Sequence, residues 1–154
     1  MKNSITLLLV PVLLILSTGL SAQKKLVPAS LSAMTGIPLP EGSKKDSRLL
    51  SDLSGKVLLE IESKKAGVEI SKIEILELPP VIQTNFTADS LVLRLAAVGW
   101  NIVQVNDDNK YVWIQKENNF LMAYFSMDKK NTALYFGEPS GAPVFQPLQQ
   151  TENQ

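Results

Sequence analysis

The chain has 154 residues, with 15 basic and 15 acidic side chains, no histidine and no cysteine. A formal net charge of zero leaves no concentrated basic field of the kind that nucleic acid or an anionic membrane surface requires. Without His or Cys there is no imidazole base, no thiol nucleophile, no common zinc ligand and no disulfide, so packing alone must hold the fold.

The first residues, MKNSITLLLVPVLLILSTGLSA, combine Lys2, an apolar run from Ile5 to Leu16 and a small, polar end at Ala22. This is the three-part pattern of a cleavable signal peptide over residues 1–22. The run falls short of the ~20 residues of a bilayer-spanning helix, so no stable membrane span is expected after cleavage. The mature chain, beginning at Gln23, is expected to be secreted or periplasmic.

Residues 23–46, with Pro28, Pro38, Pro40, Gly36 and Gly42, read as an extended leader. Within it, Pro40-Glu41-Gly42-Ser43 suits a type II turn, with glycine where φ must be positive. Leu50, Leu53, Val57 and Ile61 then recur at helical spacing, and Lys64, Lys65 and Gly67 supply stop signals. Gly55 costs such a helix about 1 kcal/mol relative to alanine. The alternation over Lys56–Glu62 keeps a strand open as the rival reading. Val68–Leu78 is rich in β-branched residues and stops at Pro79-Pro80, as a strand would.

Thr87 or Asp89 can cap a second helix running to about Val98, with Leu91, Leu95 and Val98 on one side and Gly99 as its stop. From Trp100 onward, turn signals at Asp107-Asp108, Asn118-Asn119 and Lys129-Lys130 mark out a four-stranded antiparallel meander. Residues 138–154, rich in Pro and Gln, read as a flexible tail. The expectation is a single α+β domain over 47–137, two helices packed on one face of a mainly antiparallel sheet of four to five strands.

Two-residue hairpin loops at these signals set Glu117 opposite Phe120 and Trp113 opposite Tyr124. One face then collects Val103, Val105, Val112, Ile114, Leu121, Ala123, Phe125, Met127, Leu134 and Phe136, the expected core. The other collects Trp100, Tyr111, Trp113, Gln115, Met122, Tyr124 and Tyr135, with Ile102, Gln104, Phe120 and Ala133 among them. Both tryptophans and all three tyrosines fall there. Side chains with an apolar body and a polar handle suit a surface that meets a partner.

Three readings of the aromatic face stay open. The leader or tail covers it; a protein partner or a second copy of the chain docks on it; or a glycan or other flat ligand stacks on Trp113 and Tyr124, with Gln104 and Gln115 offering hydrogen bonds. Catalysis is not expected. Asp107-Asp108 sits in a turn, Glu60, Glu62, Glu74 and Glu77 read as surface residues beside lysines, and Ser126-Met127-Asp128-Lys129 matches an S-x-x-K spacing only across a strand end. Asn106-Asp107-Asp108-Asn109 lacks the ligands of a calcium loop, and neither metal nor cofactor is expected.

The signal peptide, the step Ile37-Pro38-Leu39-Pro40-Glu41-Gly42, the helix ending in Gly99-Trp100 and the meander together resemble small bacterial secreted or cell-envelope α+β domains of unknown function, loosely over Ile37 to Gly137. The resemblance implies a bacterial exported setting and carries no site residue with it. The expected role is a non-catalytic binding or interaction module, with glycan or small-molecule binding as the alternative.

Overall fold

A computed structural model describes residues 26–106, 111–127 and 132–145. The expected signal peptide and the turns at Asp107-Asp108 and Lys129-Lys130 lie outside these residues. In chain order the elements are β1 (Val27–Pro28), β2 (Lys44–Asp46), α1 (Leu49–Ser63), β3 (Ile70–Leu78), the single-turn α2 (Val81–Thr84), α3 (Ala88–Ala97), β4 (Asn101–Val105), β5 (Tyr111–Lys116), β6 (Asn119–Met127) and β7 (Thr132–Pro139). They form an α+β fold around one antiparallel sheet ordered β1-β2-β3-β7-β6-β5-β4. Among the described residues the sheet has seven strands rather than four or five.

The extra strands come from the segment expected to be an extended leader. Ala29 N donates to Ser43 O at 2.9 Å and Leu39 N to Ser30 O at 2.9 Å, folding residues 29–43 back on themselves. The expected turn is present, with Ser43 N donating to Pro40 O and Gly42 at φ +86°. Ile37 and Leu39 thereby enter the core. Glu74, expected on a strand surface, is buried beneath this segment, where its carboxylate accepts from Ser32 Oγ at 2.6 Å, Ala33 N at 2.7 Å and Met34 N at 3.1 Å. Three charge-assisted bonds to a segment some forty residues away fasten the leader to β3.

The second helix forms where its signals lie. Thr87 and Ser90 make a reciprocal capping box, Leu91 and Leu95 face inward, and Gly99 at φ +88° turns the chain toward β4. The first helix settles the helix-or-strand ambiguity: Leu49–Ser63 is helical, followed by a 3-10 turn whose left-handed cap is Gly67.

The two longer helices do not share a face. α3 and the leader cover the aliphatic face, in a core built from Ile37, Leu76, Phe86, Leu91, Leu95, Ile114, Leu121, Leu134 and Phe136. α1 covers the aromatic face, where Leu59, Ala66, Val68, Ile70, Trp113 and Met122 form a second buried cluster.

The middle hairpin turns at Glu117-Asn118, one residue earlier than expected, with Glu117 at φ +54°. Lys116 therefore pairs with Asn119, and Trp113 faces Met122 rather than Tyr124, which faces Tyr111. Moving the turn by one position slides the pairing by two residues, so each side chain keeps its face. A register irregularity at Val103 is different in kind: it sets Ile102 opposite Ile114 instead of on the aromatic side. The β6–β7 pairing, Met127 opposite Thr132, is the one that a two-residue loop at Lys129-Lys130 dictates.

Candidate functional site

Of the seven residues expected to bind a partner, the structure brings six to one sheet face and removes one. Trp100 precedes β4 and packs in the aliphatic core, its indole Nε1 donating to Thr35 O at 3.0 Å. Gly99 is the reason: its left-handed turn swings the next side chain under α3 before the strand alternation begins.

The other six are largely covered. Trp113 is 5 % exposed and Met122 0 %. Tyr111, Tyr124 and Tyr135 form a half-buried row across three strands, with ring centroids 4.7 Å and 5.7 Å apart, and Tyr111 Oη donates to Leu58 O of α1. Burial is the largest cause raising the Tyr135 phenol above its ordinary pKa. Gln115 lies half-buried at the strand end, its amide Nε2 donating to Glu117 O.

Two segments supply the cover. Val144 N donates to Ala66 O, and Phe145 then stands edge-on to Trp113 at 5.7 Å and beside Phe120 at 6.1 Å. Part of the expected tail is thus packed on the sheet, and β7 itself runs to Pro139. α1 supplies the rest.

How α1 can lie so close is written in its small residues. A Cβ at Gly55 would sit 2.5 Å from Ile73 Cδ1 and 2.9 Å from Ile75 Cδ1. Across the contact, a Cβ at Gly137 would sit 2.7 Å from Leu59 Cδ1. Glycine on the helix admits two isoleucines of the sheet, and glycine on the sheet admits one leucine of the helix. The interlock fixes the rotation of α1, with Gly55, Leu59 and Ser63 inward.

That rotation turns the periodic stripe outward. Leu50, Leu53, Val57 and Ile61, expected as the helix's core side, are 78, 54, 61 and 59 % exposed, with Leu49 exposed beside them. Lys56 and Glu60, 3.6 Å apart, border this ridge. At its start, Arg48 clamps Asp46 through Nε at 2.9 Å and Nη2 at 2.7 Å and also reaches Glu77 at 3.0 Å. The Arg48 guanidinium holds the Asp46 carboxyl at about 2, well below its ordinary 3.8. This ion group anchors the entry to α1 and leaves the ridge itself apolar.

Sequence reasoning found the ridge residues but gave them to the core. The corrective signal was Gly55 with Leu59 and Ser63, a second and smaller stripe on the opposite side of the same helix.

Among the described residues, no three acidic side chains gather as a metal site, and no helix is long and apolar enough to cross a membrane. Compared with known proteins, the chain matches no family model, no curated protein and no solved structure, so the site rests on its own geometry.

Proposed function

We propose that this chain is an exported, non-catalytic interaction module that docks a protein partner on the outer face of α1. One observation carries the reading: an aliphatic ridge, Leu50-Leu53-Val57-Ile61, lies exposed on a helix whose other side is already packed. Isolated exposed aliphatics need no explanation, whereas a contiguous ridge on a helix is a recurring form of protein recognition. The helix needs no folding on docking, because Gly55 and Leu59 hold it against the sheet beforehand. Export is supported by the signal-peptide pattern over residues 1–22, and binding rather than catalysis by a chain without His or Cys. The glycan alternative draws no support from the site, since stacking on Trp113 would require displacing Phe145.

Site-specific photo-crosslinking tests the proposal. A photoreactive amino acid at position 57, in the full chain expressed in an exporting bacterium, should give a discrete protein adduct. The same group at position 93, exposed on α3, should not. Equal or absent labelling at both positions would sink the reading.

A further inference from the structure

The sheet offers a second copy few places to dock. Both faces are covered, one by α3 and the leader, the other by α1 and Phe145. The edges are also guarded: β1 is a two-residue strand containing Pro28, and β4 carries the irregularity at Val103. Among the described residues, stacking sheets or adding strands therefore offers self-association less surface than the α1 ridge, whose aliphatics are each more than half exposed, against under two-fifths for Ile102 and Val105 of β4.

We infer that the occupant of the ridge is the α1 of a second copy, packed antiparallel about a two-fold axis near Val57. This deepens the docking proposal above and rests on it. The ridge is self-complementary about that point. An antiparallel pairing centred on Val57 sets Leu53 against Ile61 of the partner subunit, and Leu50 against the alkyl stem of the partner's Lys64. The border matches as well. Lys56 and Glu60 lie on the same side of the ridge, so the two-fold brings each lysine within a turn of the other copy's glutamate.

Area points the same way. Five aliphatic side chains, each more than half exposed, present on the order of 500 Å² of apolar surface. Pairing two copies buries at most on the order of 1,000 Å², the lower limit for a specific interface. An interface this small suits a weak, reversible dimer. A lipid surface fits less well, because Glu60 would face the headgroups beside Lys56.

The chain has no cysteine, so a single introduced thiol is an unambiguous reporter. Under mild oxidation, Val57→Cys should form a disulfide-linked dimer, whereas Leu93→Cys on α3 should stay monomeric. Sedimentation velocity over a concentration series should show reversible dimerisation, weakened on the order of 100-fold by Val57→Asp. Lys56→Glu and Glu60→Lys should each weaken it, and the double swap should restore it. A strict monomer with no linkage at position 57 overturns the dimer. If photo-crosslinking at 57 then still captures a different protein, docking on α1 stands and only the second copy is lost. If the monomer instead co-sediments with phosphatidylglycerol vesicles and loses this with Val57→Asp, the ridge is a lipid surface and both proposals fall.

Discussion

Replacing Trp113 with alanine should remove a large share of the protein's stability. The side chain is 5 % exposed, faces Met122 across the sheet, shares a buried cluster with Leu59 of α1 and stands edge-on to Phe145. Truncating an aromatic side chain at such a position costs about 3–5 kcal/mol. The lost ring pair accounts for about 0.5–1.5 kcal/mol of that kind of loss at aromatic contacts generally. A single domain holds about 5–15 kcal/mol in all, so the variant should be visibly closer to unfolding at room temperature. Urea titration followed by far-ultraviolet circular dichroism is the suitable assay, because the substitution removes one of two tryptophans. The midpoint should fall while the slope stays the same. Val57→Asp, on the outer side of α1, should shift stability by no more than about 0.5 kcal/mol. If Trp113→Ala were within about 1 kcal/mol of the parent, α1 and Phe145 would not be seated on the sheet in solution. The aromatic face would then be open, and stacking of a flat ligand would return as the better reading.

Gly55→Val sets helix propensity against space. Any helix former gains a few tenths to about 1 kcal/mol over glycine, yet the added carbons would overlap Ile73, Ile75 and the Tyr135 ring. Overpacking costs about 1–3 kcal/mol and should win, lowering the thermal midpoint; an increase would show that α1 stands off the sheet. Acid should act through Asp46. Its folded pKa of about 2 lies below the ordinary 3.8, so its contribution is complete above about pH 4 and lost as pH falls toward 2. With Arg48 half-exposed to solvent, this amounts to about 1–2 kcal/mol. Stability measured between pH 4 and pH 2 should drop by that much more in the parent than in Asp46→Asn, and equal slopes would count against the clamp.

The elements that sequence reasoning placed well are those whose signals are local. Thr87 and Ser90 cap α3 by themselves, Gly67 and Gly99 end helices through their own backbone, and the turn at Pro40–Ser43 needs nothing beyond Gly42. The division of the meander into two faces survived a displaced turn because face depends only on parity, and the shift was even.

What was hidden depends on distant partners. Residues 26–46 carry no regular period, and their order comes from the Glu74 carboxylate and from the pocket that takes Ile37. Helix α1 has apolar residues on both sides, and periodicity alone cannot say which side meets the sheet. Four aliphatics made the stronger pattern, but the sheet already presented Ile73, Ile75 and Tyr135, and only the glycine side could approach them. The aromatic residues were gathered correctly for the most part; the tail was among the covers left open for them, whereas α1 was assigned to the opposite face.

The position of β7 has a consequence for how the chain reaches its final form. β7 is the last of the described strands in the chain, yet it lies in the middle of the sheet, between β3 and β6. Without residues 132–139 the ladders β1-β2-β3 and β4-β5-β6 share no pairing, and β3 and β6 each keep an unpaired edge. A chain synthesised from its N-terminus is thus kept from closing this sheet until residues 132–139 are available. Late closure of this kind leaves any chain arrested before β7 with two adhesive edges open to misassociation.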